Sequence, residues 1–169
     1  METGEELLFD HGEQTPARLE RQIARLASMT AAQMARVSRD ELRAVGARKD
    51  HFVVLAALAE FGPASQAALS DRTSVYKSDL VSVLNDLEDG EWVRRAPDPA
   101  DKRRNVITIT EQGERRLAEL DRVLDGVNEH IMTPLDHDER AQLFSLLNRI
   151  NTHLATTADG TSSPGWQIP

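Results

Sequence analysis

Residues 65–110 of the chain are SQAALSDRTSVYKSDLVSVLNDLEDGEWVRRAPDPADKRRNVITIT. Two short helical segments, 65–72 and 76–90, are separated by the three residues 73–75. Two strand-like runs follow, 92–95 and 105–110, and the loop between them is crowded with charged residues. Helix, tight turn, helix and basic hairpin is the order of a winged helix-turn-helix, a design that binds DNA.

The second helical segment has an apolar and a polar face. Leu80, Val83 (or Leu84) and Leu87 recur three or four residues apart, so one face is expected in a core. Ser74 is predicted to cap the amino terminus, where backbone N–H groups suit a phosphate. A helix of this length fits the major groove with its early residues nearest the bases. The predicted major-groove contacts are Ser74, Tyr76, Lys77, Ser78 and Ser82.

The hairpin loop is the most basic part of the chain. Between residues 94 and 104, five cationic residues stand against two aspartates, a local charge of +3. Because the negative potential of a narrow minor groove attracts arginine, the loop tip is expected to enter that groove. The predicted contacts there and on neighbouring phosphates are Arg95, Lys102, Arg103 and Arg104.

The sequences DPADKRR at 98–104 and ITEQG at 109–113 resemble the wing signature of the MarR family of bacterial transcriptional regulators. That signature is Asp-Pro-x-Asp-(Arg/Lys)-Arg followed by Leu-Thr-x-x-Gly, and Ile109 replaces its Leu. The resemblance extends over roughly residues 16–154. It implies that Asp101 orients Arg103 through a salt bridge and that Arg103 enters the minor groove. Ser82 replaces a phosphate-contacting arginine of many relatives, and Asp79 adds an acid, so Lys77 and the wing are expected to dominate phosphate binding.

Composition narrows the class of protein. The 169 residues carry a formal charge of −8, so an acidic body with one basic edge is expected to confine DNA to a single surface. Without cysteine the chain has no disulfide and no thiolate metal site. No long apolar run and no signal peptide is present, which predicts a cytoplasmic protein.

The fold class expected is mainly α with a small β-hairpin, a winged helix-turn-helix core flanked by long dimerisation helices. We assign residues 1–15 to a flexible acidic segment, 16–46 to an N-terminal dimerisation helix and 47–113 to the DNA-binding region. Residues 114–155 are assigned to C-terminal dimerisation helices and 156–169 to a flexible tail.

Apolar stripes on the flanking helices predict a homodimer. The first helix is expected to run from Pro16, capped by Thr15, to about Val45, with Gly46 as its stop. A seam two heptads long occupies residues 117–131, and a second apolar stripe follows Asp136, the predicted cap of the last helix, with Glu139 completing a capping box. The alternative is that both seams pack inside one subunit. The helix at 48–61 is expected to form the floor of the winged-helix core.

A small aromatic or anionic effector is a further expectation. In the family that the chain resembles, phenolic or other lipophilic ligands occupy a crevice between the dimerisation helices and the winged helix. Arg48, Lys49 and His51 lie at that junction and are the candidate contacts. The alternative is that Arg48 and Lys49 are solvated while His51 is a packing residue.

Catalysis is not expected. No phosphate-binding glycine loop, His-Glu-x-x-His motif or nucleophile elbow is present, and the carboxylates next to His137 point in different directions on a helix start. No metal or cofactor is predicted. The sequence indicates a homodimeric regulator of transcription, a ligand-responsive repressor on a pseudo-palindromic operator. The alternative is a winged-helix scaffold for protein interaction and dimerisation that does not bind DNA.

Overall fold

A computed structural model describes residues 16–98 and 105–158 of the chain. Contacts divide the chain into two compact units, one ending at Val127 and the other beginning at Asn128. The expected fold class is confirmed, because the described elements are mostly helices with one small antiparallel sheet. In the described ranges, no helix has both the length and the apolar character needed to cross a bilayer.

The first unit contains most of the elements in an order close to the expected one. They are α1 (Ala17–Glu20), α2 (Ile23–Ala44), α3 (Lys49–Phe61), β1 (Ala64–Ser65), α4 (Gln66–Thr73), α5 (Lys77–Asp89), β2 (Val93–Pro97), β3 (Asn105–Ile109) and the greater part of α6 (Glu111–Ile131). The second unit contains α7 (His137–Ala158). The strands are ordered β1-β3-β2, and both pairs are antiparallel, with Ala64 and Arg95 opposite Ile107. The two-residue β1 has no signal in the sequence.

The apolar face of α5 lies in the core, as its spacing predicts. Leu80, Leu84 and Leu87 are 0% exposed and Val83 is 2% exposed. They belong to one cluster of buried side chains with residues from α3, α4 and the sheet: Val54, Leu55, Leu58, Leu69 and Ile107. Because one face of α5 is buried completely, its opposite face has to point outward.

One residue of the predicted core floor is exposed. Phe61, the last residue of α3, is 59% exposed and not packed in the core. The Arg72 guanidinium lies 5.4 Å from the centre of its ring, a cation–π distance. Gly62 follows with φ +77° and ends the helix. The predicted role of this helix as the core floor is confirmed by Val54, Leu55 and Leu58, whereas Phe61 lies outside the core.

The predicted first helix is interrupted. Arg21 ends α1 and Gln22, in an extended conformation, precedes α2, so residues 16–45 do not form one helix. Leu19 and Ile23 on either side of the break are exposed, and without packing a single helical turn has little to hold it in line. The predicted stop is confirmed, since α2 ends at Ala44 and Gly46 takes φ +69°. Thr15, the expected cap, lies outside the described residues.

The start of α6 is built around a close approach to the wing (residues 92–110). The Thr110 hydroxyl accepts the N–H of Gly113 at 3.0 Å and donates to the Glu91 carbonyl at 2.7 Å. A Cβ on Gly113 would lie 2.0 Å from the carbonyl oxygen of Trp92. The helix α6 begins at Glu111 instead of the expected 114, so Gly113 lies in its first turn.

The seam on α6 serves the core of its own chain over much of its length. Leu120 is fully buried in the main cluster, and Leu117 and Leu124 pack against it. For Leu120 the alternative stated above, packing within one subunit, is confirmed, while the partly buried Leu117 and Leu124 leave dimer contact a prediction. The seam pattern itself does not distinguish the two, because both need apolar residues at the same spacing.

The predicted cap of the last helix is confirmed. The Asp136 carboxylate accepts the N–H of Glu139 at 2.9 Å, and the Glu139 carboxylate accepts the N–H of Asp136 at 2.9 Å. This reciprocal pair is a capping box. The helix continues to Ala158, so the expected tail at 156–169 begins too early. Residues 1–15 and 159–169 lie outside the described part of the chain.

Replacing Gly113 by alanine is expected to destabilise the protein by about 1–3 kcal/mol, because the new methyl group must displace the backbone of Trp92. Gly126, in the same helix, has no atom within 4 Å of its Cβ position and is the matched control. Gly126→Ala is expected to be neutral or to stabilise by up to about 1 kcal/mol through helix propensity. Urea unfolding measures both, and equal effects would contradict the close approach.

Candidate nucleic-acid interface

The amino-terminal half of α5 presents the polar face expected for the major groove. Tyr76, the residue before the helix, is 78% exposed, and Lys77, Ser78 and Ser82 are exposed with it. No side chain caps this end of the helix. Uncapped N–H groups and a cationic side chain together provide a surface suited to phosphate.

Ser74 has a different role from the predicted cap. It ends α4 in the left-handed conformation, with φ +56°, and is two residues too early to cap α5. The turn is held by Thr73, whose hydroxyl donates to the Leu69 carbonyl at 2.6 Å, and by Ser70, whose hydroxyl donates to the Val75 carbonyl at 2.8 Å. The cap prediction is wrong because the tight turn between the helices needs a left-handed residue, a conformation rare for serine. Ser74 still lines an open groove of about 520 Å³ with Tyr76, Lys77 and Ser78.

An acid lies among these exposed groups. Asp79 is in the first turn of α5, and its carboxylate accepts the Ser78 hydroxyl at 3.2 Å. A negative charge near a helix amino terminus stabilises the helix but opposes a phosphate at the same position. Lys77 is the cation of this turn that remains exposed.

The two arginines at the start of the wing point in different directions. Arg95 Nη2 donates to Asn85 Oδ1 at 2.7 Å, and Arg95 Nε lies 3.5 Å from a carboxylate oxygen of Glu88. Its side chain is directed to α5. The sequence-based prediction had it pointing into solvent, toward DNA. Arg94 is exposed, and its side chain makes no hydrogen bond or ion pair with another residue of the described ranges. Asp101, Lys102, Arg103 and Arg104 fall outside the described residues.

Two of the three candidate effector contacts are tied to α5. The backbone N–H of Arg48 donates to His51 Nδ1 at 3.4 Å, and the Arg48 guanidinium is hydrogen-bonded to the Asp86 carboxylate. His51 Nε2 lies 3.3 Å from Asp86 Oδ2 and 3.3 Å from Arg48 Nε, so the imidazole contacts both members of this ion pair. Lys49 is exposed and lies outside this cluster.

The cluster continues toward α6 through Trp92. The Trp92 ring lies 6.4 Å from the His51 ring, and the Arg116 guanidinium lies 4.9 Å from its centre. Arg116 also donates to the Val45 carbonyl at the end of α2 and to Glu119 at 2.7 Å. Asp86 and Arg116 are not predicted as site residues from the sequence. No local pattern reveals them, because the partners Arg48 and Val45 lie 38 and 71 residues away in the chain.

Burial lowers the pKa of His51 below its ordinary value of 6.5, because the charged imidazolium is disfavoured away from water. The hydrogen bond to Asp86 opposes this effect, and the nearby Arg48 adds to it.

Within the described ranges, no group of three or more histidine, aspartate and glutamate side chains is arranged to hold a metal ion.

The lowered pKa predicts a loss of stability in mild acid. As the pH falls through the unfolded-state pKa, the unfolded chain takes up a proton that the folded His51 resists, so unfolding becomes easier. The loss begins as the pH approaches about 6.5, the unfolded-state value, and is complete below the folded-state pKa of His51. The free energy of unfolding should therefore fall less in His51→Gln than in the wild type.

His153→Gln, which alters an exposed residue of α7, is the control and should keep the full pH dependence. Identical pH dependence in the wild type and His51→Gln would contradict the assigned burial cost.

Comparison with known proteins assigns the family. A family model described as MarR family matches residues 47–104. The transcriptional repressor NicR of Pseudomonas putida is 32% identical over 99 residues, which are 59% of this chain and 63% of NicR. The transcriptional regulator HosA of Escherichia coli is 31% identical over 102 residues, which are 60% of this chain and 76% of HosA. The chain thus spans somewhat less than two thirds of NicR and about three quarters of HosA.

A solved structure shares the fold. BpsR of Bordetella bronchiseptica, whose DNA binding is regulated by 6-hydroxynicotinic acid, has a TM-score of 0.69 and 20% identity, over 81% of this chain and 98% of BpsR. The matched relatives are regulators of transcription, not enzymes. On the family match and on its similarity to HosA, the chain belongs to the MarR family of transcriptional regulators.

Proposed function

We propose that the protein is a homodimeric, sequence-specific DNA-binding regulator that represses transcription in response to a small ligand. The observation that supports this most directly is the division of α5 into a completely buried apolar face and an exposed polar face. The polar face begins at an uncapped helix end with Tyr76, Lys77, Ser78 and Ser82, the residues proposed to contact the major groove.

The wing is proposed to add the minor-groove contact. Arg103 is the proposed finger, oriented by Asp101, with Lys102 and Arg104 on neighbouring phosphates. These roles rest on the family's wing motif and on the local charge of +3. Since the whole chain has a charge of −8, the field that attracts DNA has to come from this edge.

Exposed apolar side chains on the flanking helices support a homodimer. Large apolar residues of α7 are between 43% and 58% exposed: Phe144, Leu146, Leu147, Ile150 and Leu154. Leu19, Ile23 and Leu26 at the other end of the chain are also exposed. Several large apolar side chains exposed on one helix mark an interface, and a symmetric pair suits a pseudo-palindromic operator.

Ligand response is proposed at the amino terminus of α3. An anionic aromatic ligand would compete with the Asp86 carboxylate for Arg48 and so disturb a contact of α5. Lys49 and His51 are the other proposed contacts. A ligand that prefers the disturbed state would shift the population away from DNA binding. The regulation of BpsR by 6-hydroxynicotinic acid makes that compound a suitable probe, and the repressor NicR supports the direction of control.

Salt-dependent binding to a duplex selected from a random pool tests the proposal. Affinity is expected to fall steeply as salt rises, because cationic residues release counterions from phosphate. Arg103→Ala should weaken binding by about 1–3 kcal/mol, and Lys77→Gln should lower the salt slope by about 1. Arg122→Gln removes a charge from an exposed position on α6 and should change neither.

A scaffold without DNA binding would show no salt-dependent affinity for any duplex, and that result would contradict the proposal. Repeating the titration with 6-hydroxynicotinic acid tests the ligand response. Weaker DNA binding by the wild type, with a smaller effect in Arg48→Gln, is the expected outcome.

Dimerisation through α7 is tested by adding one negative charge on or off the apolar stripe. Ile150→Asp is expected to dissociate the dimer, since a carboxylate would be buried against apolar side chains. Asn148→Asp adds the same charge to an exposed residue outside the stripe and should leave the dimer intact. Sedimentation velocity at low protein concentration measures both, and a dimeric Ile150→Asp would contradict this interface.

A further inference from the structure

Arg95 joins the wing to α5 by its side chain. Burial along β2 alternates at its start, so that Val93 is buried, Arg94 is exposed and Arg95 is partly buried. The Arg95 side chain is 25% exposed and Nε is shielded from solvent. Nη2 donates to Asn85 Oδ1 at 2.7 Å while Nε faces the Glu88 carboxylate at 3.5 Å. These two guanidinium nitrogens of Arg95 therefore face α5.

The backbone of Arg95 takes part in the same contact. The strand order places β2 at the edge of the sheet, with β3 on one side only. The Arg95 N–H donates to Glu88 Oε1 at 3.4 Å. One carboxylate of α5 thus accepts an edge N–H of the wing and pairs with the side chain of the same residue. An edge strand whose N–H is used in this way is held against the helix.

The partners lie on the helix that is proposed to read the major groove. Asn85 follows Ser82 by three residues and Glu88 follows Asn85 by three, so these residues lie near one another along the helix surface. The contact between Arg95 and this part of α5 fixes the position of the wing relative to the residues proposed to face the bases. The wing and α5 are proposed to enter adjacent grooves, so their relative position has to be fixed.

We propose that Arg95 is a positioning residue, which clamps the wing to α5 through Asn85 and Glu88 and does not itself bind DNA. This inference rests on the proposed function, and it replaces the direct contact that the sequence predicts for Arg95. The clamp also explains why the Glu88 carboxylate lies near a proposed DNA-binding face. Glu88 would repel phosphate if it were free, but it is paired with the wing that it holds.

The sign of the Glu88→Gln effect separates a clamp from simple electrostatics. Removing a negative charge near DNA should tighten binding if charge alone matters. Loss of the clamp should weaken it by roughly threefold to tenfold. Arg95→Gln should weaken binding by a similar factor with an unchanged salt slope, whereas loss of a phosphate contact lowers the slope by about 1.

The variants can be checked against one another. Arg95→Gln combined with Glu88→Gln should cost no more than either alone, because both remove one interaction. Arg95→Lys keeps the charge without the planar guanidinium that contacts both Asn85 and Glu88, so it should rescue only partly if Arg95 is a clamp. Arg94→Gln is the matched control, since it removes the same charge from the neighbouring exposed position of β2.

Hydrogen exchange without DNA tests the clamp independently of the proposed function. Amides of β2 and β3 should exchange faster in Arg95→Gln than in Arg94→Gln, while the urea midpoints of the two variants stay equal. If the wild type binds no DNA, the proposed function fails and this exchange measurement still decides whether the clamp exists. Tighter binding by Glu88→Gln, or unchanged wing exchange with a reduced salt slope in Arg95→Gln, would overturn the inference.

Discussion

Complete burial of one face of α5 is the constraint on which the other features depend. Leu80, Leu84 and Leu87 are inaccessible to solvent in a cluster shared with α3, α4 and the sheet. A helix packed in this way can neither roll nor slide without opening cavities, which cost several kcal/mol in a close-packed interior. The direction of the exposed residues, from Tyr76 onward, therefore follows from apolar packing and not from their own interactions.

Polar contacts join the same helix to its neighbours. Asp86 pairs with Arg48 at the start of α3, while Asn85 and Glu88 pair with Arg95 of the wing. The α5 residues in these contacts all lie in the second half of the helix. The polar side chains of its first half therefore remain exposed at the proposed DNA surface. A change at either contact can alter how α5 and the wing are presented together, which is how a change at one site would reach another.

Patterns within a single element predicted much of this fold. The spacing of Leu80 and Leu87 placed the inner face of α5, Gly46 marked a helix end, and Asp136 with Glu139 formed the expected capping box. These features depend on residues a few positions apart, which a sequence displays directly. The wing motif added a specific family resemblance that periodicity alone does not provide.

Features that depend on distant partners were not predicted. The direction of Arg95 is determined by Asn85 and Glu88 on a neighbouring element, and the pairing of Arg48 by Asp86, 38 residues away. Ser74 was predicted to cap the amino terminus of α5 but ends α4 instead. Residue preference shows that a serine is suited to a helix end, but it does not show which end the serine occupies. Apolar seams give the same signal for packing within the chain and between chains, so the pattern alone did not show that Leu120 lies in the core of its own chain.

We propose above all that the polar face of α5 and the wing bind DNA as a symmetric pair. Hydroxyl-radical footprinting of a selected duplex with the full chain tests this most directly. The account predicts two protected patches on one face of the duplex, about 10 base pairs apart from centre to centre, with protection of the flanking minor grooves. A single patch, or weak protection spread evenly along the duplex, would contradict it.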